Sequence, residues 1–420
     1  MQKLCIFGQR IDMTKHEIVL MSITGEDKPG VTSSLTEILS KHNATILDIG
    51  QANIHQSLSL GILFRLDPQM QGNILKDLLF KSYELGVQAK FTPIEREDYD
   101  QWVSRQGKES YVITVLGQKI EANQLAHVTK VIAEQGLNID TIKRLTGRIP
   151  LDSEDDSQNR SCIEFSVRGT PQNVNLIHEK FVTLSGALDI DISFQKDNIY
   201  RRNRRLICFD MDSTLIKTEV IDELAERAGA GEEVRAITEA AMRGEIDFSE
   251  SFKKRVSLLE GLDESVLQEI AENLPIMDGA DRLMHILKKC GYKIAILSGG
   301  FTFFGKYLKK RFGVDYLYAN ELEIKDGKLT GKHLGDIVDG NRKAELLKFL
   351  AQVENIELDQ VIAVGDGAND LPMLNIAGLG IAFHAKPKVK ENARQSISSI
   401  GLDGVLYFLG FRDKHINEDF

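Results

Sequence analysis

At 420 residues, with 42% hydrophobic and 27% charged side chains and only 8 prolines, the chain has the make-up of about two or three folded domains, which excludes extended disorder. A formal net charge of −10 weighs against general nucleic-acid binding, though not against a local basic pocket for a small anion. Cys5, Cys162, Cys208 and Cys290 are scattered, which suits a reducing compartment better than a disulfide framework or a zinc site. No basic n-region precedes an apolar one, and no apolar run reaches membrane-spanning length. A cytoplasmic protein with no membrane partner is expected.

Residues 17–24 read as a strand, and Gly25-Glu26-Asp27-Lys28-Pro29-Gly30 as a turn into a helix carrying Val31, Leu35, Ile38 and Leu39. Strands near 45–54 and 58–66, a helix near 71–85 and a strand near 87–92 complete a βαββαβ order. The order then returns: a strand at Ser110–Val115, a helix marked by Leu125, Val128 and Ile132 that ends at Gly136, strands near 138–146 and 161–168, a helix near 171–184, and a strand near 188–194. The acidic run 152–159 between the middle strands reads as a mobile loop. Such a repeat means two copies of one small α+β unit.

On strand order and the Gly25–Gly30 turn, residues 16–94 resemble an ACT domain, a small regulatory fold of amino-acid metabolism. The resemblance implies an amino-acid effector such as serine at that turn, and pairing into a homodimer. A plain backbone turn is the competing reading. The second copy, residues 108–195, has Gly117-Gln118-Lys119-Ile120-Glu121-Ala122 at the same place and lacks the Pro-Gly. A structural or dimerising role is expected of it.

Residues 196–205, ending in Tyr200-Arg201-Arg202-Asn203-Arg204-Arg205, read as a solvated linker. Strand candidates then follow at Leu206–Phe209, Lys293–Leu297, Tyr316–Ala319, Val361–Val364 and Leu379–Ala382, alternating with helices as in a doubly wound α/β domain. Helical sequence at 217–275 interrupts this alternation and reads as a cap over the crevice.

Ligands of an open parallel sheet sit at the carboxyl ends of its strands, and there this sequence carries unusual polar groups. Asp210 and Asp212 end the first strand, Ser298-Gly299-Gly300 the second, and Gly365-Asp366-Gly367-Ala368-Asn369-Asp370 the fourth, while Lys343 opens a helix. Singly each has a bland reading: a capped turn, a loop, a surface lysine. Together they differ, because clustered carboxylates need a cation, and carboxylate, phosphate and water oxygens are what Mg²⁺ prefers. No His/Cys cluster offers zinc.

These four segments, in this order over residues 206–412, resemble the motifs of the haloacid dehalogenase superfamily. The resemblance implies a Rossmann-like core with a helical cap, Asp210 as nucleophile and Asp212 as general acid/base. It implies Mg²⁺ on Asp210, the Asp212 backbone carbonyl and Asp366, with Asp370 supporting. Ser298, Gly299, Lys343 and Asn369 would bind the phosphoryl group. Within the superfamily, Asp210–Glu219, Met242–Phe248 and Ser251–Leu259 resemble the phosphoserine phosphatases. That implies hydrolysis of O-phospho-L-serine, the last step of serine biosynthesis, with Met242 and Phe248 as apolar walls. A zwitterionic phosphomonoester needs an anion for its ammonium and a fork donor for its carboxylate, and Glu219 and Arg255 supply them. A phosphatase or phosphotransferase for another small phosphorylated alcohol remains open, as does an amino-acid sensor built on a silenced enzyme.

Overall fold

The computed structural model describes residues 4–6, 9–11, 18–66, 71–104, 107, 109–148, 159–243 and 245–416. Glu17 and most of the acidic run 152–159 lie outside them. The chain forms two units, residues 1–108 and 109–420.

In the first unit a short hairpin, β1 (Leu4–Ile6) and β2 (Gln9–Ile11), precedes β3 (Ile18–Glu26), α1 (Val31–Lys41), β4 (Thr45–Ile54), β5 (Ser57–Arg65), α2 (Gln71–Glu84) and β6 (Gln88–Ile94). Strict alternation on β5 buries Leu58, Leu60, Ile62 and Phe64. Helices α1 and α2 cover that face through Val31, Leu35, Leu39, Ile74 and Leu78, and the sheet runs β4-β5-β3-β6. A helix absent from the expected pattern, α3 (Arg96–Ser104), follows and buries no residue.

The second unit begins with the same arrangement. Here β7 (Ser110–Gly117), α4 (Ala122–Glu134), β8 (Asn138–Arg144), β9 (Ser161–Arg168), α5 (Val174–Leu188) and β10 (Asp191–Lys196) give the sheet β10-β7-β9-β8. The segment 201–205 departs from the solvated linker expected of it. Arg204 is buried and donates to Gln195 at 2.9 Å, and Arg201 pairs with Glu164 at 3.1 Å. Arg202 and Arg205 remain exposed, while Arg201 and Arg204 turn inward because acceptors meet them.

The α/β domain comprises β11 (Leu206–Phe209), α6 (Val220–Ala228), α7 (Gly231–Met242), α8 (Phe248–Ser257), α9 (Ser265–Glu272), α10 (Ala280–Lys289), β12 (Lys293–Phe301), α11 (Thr302–Phe312), β13 (Tyr316–Lys325), β14 (Lys328–Leu334), α12 (Gly340–Val353), β15 (Val361–Gly365), α13 (Leu371–Ile376), β16 (Leu379–Phe383), α14 (Pro387–Asn392), β17 (Gln395–Ile397), α15 (Val405–Phe408) and α16 (Asp413–Ile416). Its seven strands run β14-β13-β12-β11-β15-β16-β17, parallel except for β14. Every residue of β11 is buried, as a central parallel strand covered on both faces requires. Helices α6 to α9 form the cap. It joins the core through a two-strand hinge, where Lys217 N donates to Pro275 O at 2.8 Å and Met277 N to Leu215 O at 3.0 Å. Among the described residues, no helix is long and apolar enough to cross a membrane.

Candidate active site

Strand β11 lies between β12 and β15, so its carboxyl end opens where the strand order reverses. The Asp210 amide still belongs to the sheet, donating to Val364 O at 2.9 Å. The chain then turns sharply, with Ser213 at φ 56°, and this leaves Asp210 and Asp212 buried at the strand end.

Lys343 reaches the same point from α12. Its Nζ donates to Asp210 Oδ1 and Asp370 Oδ1, both at 2.7 Å, and the residue is wholly buried. Burial opposes its charge, but Asp210 and Asp370 outweigh that and hold its pKa above the usual lysine range. A lysine read singly would have been placed in solvent; here the two carboxylates compensate its desolvation.

Asp210, Asp366 and Asp370 offer oxygens that all lie within 4.8 Å of one another. Burial, reinforced by Asp210 and Asp370, pushes Asp366 up to about 8, and burial with Asp210 pushes Asp370 to about 6. Lys343 alone does not neutralise this cluster. An all-oxygen donor set with surplus negative charge fits a hard divalent cation. Thr214, also buried, donates to Asp366 Oδ1 at 3.2 Å and aims that carboxylate.

Asp212 has a different environment. Its Oδ1 accepts from Val220 N at 3.2 Å, and a Cβ on Gly300 would lie 2.3 Å from its Oδ2. Glycine at 300 is therefore what lets that oxygen face the cleft. Burial, then Glu219 and Asp210, raises the Asp212 pKa well above the usual carboxylate range. A proton held on Oδ2 suits a general acid.

Ser298 is fully buried at the end of the regular part of β12, its Oγ accepting from Gly300 N at 2.9 Å. Gly299 lies under the cap: a Cβ there would be 3.0 Å from Cζ of Phe248. Phe248 stacks on Phe252, whose ring meets Phe301 of the core at 6.0 Å, so an aromatic column seats the cap. The side chain of Met242 lies outside the described residues. Asn369 is half-buried, folded back over the Gly367 turn.

Glu219 precedes α6 and accepts from Ser213 Oγ at 2.8 Å; burial raises its pKa. Burial lowers that of Arg255 on α8, against the pull of Glu219, Asp222 and Asp212, and among the described residues its buried Nε has no partner. A buried guanidinium N–H without an acceptor is costly, and a ligand carboxylate satisfies it.

Models of known families match three parts of the chain. The ACT domain model matches residues 17–92, a second ACT model matches 109–195, and the haloacid dehalogenase-like hydrolase model matches 207–375. The chain is 39% identical over 394 residues to the phosphoserine phosphatase SerB2 of Mycobacterium tuberculosis, covering 93% of each chain. This chain belongs to the phosphoserine phosphatase family. A Streptomyces coelicolor phosphoserine phosphatase is 37% identical, covering 95% of this chain and 93% of its own. Among solved structures, the unliganded probable phosphoserine phosphatase of Vibrio cholerae is similar with a TM-score of 0.56 and 38% identity, covering 72% of this chain and 86% of that one.

Family membership makes the chain an enzyme, a hydrolase with a Rossmann-like core and two ACT-type domains. Two supporting residues escaped the sequence reading. Asp222 adds negative charge beside Arg255. Asn320 is buried inside β13, one residue beyond the strand read at Tyr316–Ala319, where asparagine, a poor strand former, gave no sign that the strand continues.

Proposed function

We propose that this enzyme hydrolyses O-phospho-L-serine to L-serine and phosphate through an aspartyl-phosphate on Asp210, with Mg²⁺ as cofactor. The observation that carries this is Lys343 bound to both Asp210 and Asp370 beneath a cap that supplies Glu219 and Arg255. Lys343 engages Oδ1 of Asp210, leaving Oδ2 to attack phosphorus. As the bond from phosphorus to the serine oxygen breaks, Asp212 gives its proton to that oxygen. Asp212 then takes a proton from water, whose oxygen attacks the phosphoryl group and frees Asp210. Ser298 and the amides after it, with Lys343 and Asn369, hold the phosphoryl oxygens in both steps.

Glu219 receives the substrate ammonium, and Arg255 its carboxylate. Phe248, with Met242, walls the site from water once the cap closes. Asp210, the Asp212 backbone carbonyl and Asp366 would hold Mg²⁺, with Asp370 in support. When bound, it supplies positive charge for the phosphoryl oxygens.

Serine is assigned to the first ACT domain as an effector. A cavity of about 390 Å³ there is lined by Asp27, Lys28, Gly30, Thr32, Ser33 and Gln51. Gly30 stands at the start of α1 with no side-chain cap hydrogen bond, which leaves the first amides of the helix for a carboxylate, while Asp27, held by Asn53 Nδ2, offers negative charge for an ammonium. A homodimer is inferred from the ACT-type domains, the first of which exposes its edge strand β4 with Ile46, Ile49 and Ile54 at the surface, and a cytoplasmic location from the scattered cysteines.

Replacing Asp210 with Asn tests the mechanism. Turnover should fall by about 10³-fold or more with the melting temperature held. Turnover near the unaltered rate would sink it.

A further inference from the structure

Strands β12 and β13 pair regularly from Ala295↔Tyr316 to Leu297↔Tyr318, lose register, and meet again at Phe301↔Asn320. The interrupted stretch is Ser298–Gly300, which bends out of the ladder to form the floor of the cleft. Backbone groups released in this way must find other partners or pay a desolvation cost. Asn320 supplies one. Its Nδ2 donates to Gly299 O at 2.7 Å, while its Oδ1 accepts from Val338 N at 2.8 Å. With an exposure of 1%, the carboxamide has no water to use instead.

The second bond reaches a different part of the site. Val338 precedes Asp339, whose carboxylate accepts from Arg342 N at 2.8 Å and whose carbonyl accepts from Lys343 N at 2.9 Å. Asp339 thus starts the helix that carries Lys343. The two segments run side by side, since a Cβ on Gly299 would be 3.6 Å from Val338 O. One planar side chain therefore joins the residue after Ser298 to the residue before the cap of α12. Only a group with a donor and an acceptor at this spacing serves both: aspartate lacks the donor, and alanine leaves the buried Val338 amide and the half-buried Gly299 carbonyl without a partner.

We infer that Asn320 is a positioning residue for phosphoryl transfer, setting the separation between the Ser298 hydroxyl and the Lys343 ammonium. The inference rests on the proposed roles of those two groups. Small misplacements of groups that hold a transferring phosphoryl are costly in rate, because their contacts are worth most in the transition state. Asn320 hydrogen-bonds neither Glu219 nor Arg255, so the groups assigned to the substrate's ammonium and carboxylate are not held by it.

The test uses the full chain with Asn320→Asp and Asn320→Ala. Turnover of O-phospho-L-serine, competitive inhibition by inorganic phosphate, and the preference for phosphoserine over O-phosphoethanolamine are each measured, with melting temperature alongside. Both variants are expected to lose about 10-fold or more in kcat and to bind phosphate correspondingly weaker, with the preference between substrates unchanged. Inhibition constants and substrate ratios do not depend on the folded fraction, so a destabilised Ala variant is still informative, and Asp keeps the bond to Val338. A lowered melting temperature with kcat and phosphate inhibition within about twofold of the unaltered chain would reduce Asn320 to a purely structural role and overturn the inference. A collapse of the substrate preference would overturn it too. Failure of the unaltered chain to hydrolyse phosphoserine would instead remove the reading beneath it.

Discussion

The two ACT-type domains share their strand order and sheet topology, yet they put their surfaces to opposite uses. In the first, the turn before α1 is open, with Gly30 at φ 97° and no side-chain cap hydrogen bond at the helix start. In the second, the corresponding turn closes on itself: Gln124 accepts from the Glu121 amide at 2.7 Å in a capping box. The last strands differ in the other direction. Gln88 opens β6 exposed to solvent, whereas Asp191 opens β10 buried.

Burial of β10 comes from the catalytic domain. Gln395 of β17 accepts from Phe194 N at 3.0 Å and donates to Phe194 O at 2.9 Å, so a side chain completes the edge of the ACT sheet. Asp191 accepts from Ser398 N at 2.8 Å, Ser399 N at 2.9 Å and the Ser399 hydroxyl. Arg160, beside β9, pairs with the buried Asp403 of the catalytic domain, which Arg282 also holds at 2.7 Å. One βαββαβ unit thus keeps its first helix uncapped by a side chain, and its duplicate caps that helix and packs against the catalytic domain.

The largest expected effect strikes the docked copy. Asp191→Ala leaves two half-buried amides and a hydroxyl without their acceptor and should cost about 2 kcal/mol of stability in denaturant unfolding. A loss under about 0.5 kcal/mol would mean that this interface is loose and the contrast wrong.

Next comes the open copy. A chain beginning at residue 109 should keep its turnover within about twofold, since the catalytic unit is complete without the first domain. It should also lose any response to serine. A serine response retained in the shortened chain would move the effector site away from the Asp27–Gly30 turn.

The smallest effect is a pH dependence at the docked interface. His178 on α5 meets the Phe194 ring edge-on at 5.5 Å, and burial, helped by the charge of Arg394, lowers its pKa from 6.5. The folded state therefore prefers the neutral ring. Its contribution to stability is present above about pH 6.5 and is lost as pH falls, because the unfolded chain then binds the proton more readily. Melting temperatures between about pH 5 and 7 should show this slope, and His178→Gln should flatten it. An equal slope in the variant would assign the dependence to other groups.

Much of the site was legible because its chemistry is local in sequence. Asp210, Asp212, Ser298 and the Gly365–Asp370 turn each end an apolar run that marks a buried strand, and position at a strand end carries most of their meaning. The repeat of the ACT-type order was readable in the same way, through alternation and helical spacing. What stayed hidden depends on residues far apart in the chain. Lys343 was named through the family resemblance, but its burial between Asp210 and Asp370 was not readable. Asn320 acts on a ladder interruption that only pairing reveals. The antiparallel β14, the short β17 and α3 lack a strong apolar period. Arg201 and Arg204 were read as solvated because their partners, Glu164 and Gln195, carry no sequence signal of contact.

The central claim is that Asp210 and its neighbours hydrolyse phosphoserine with a divalent cation in the acidic cluster. Phosphate release from O-phospho-L-serine by the full chain, stripped with EDTA and then resupplied with Mg²⁺, tests it most directly. Release should be lost on stripping and recover fully on resupply. Undiminished release by the stripped enzyme, or none in either condition, would contradict it.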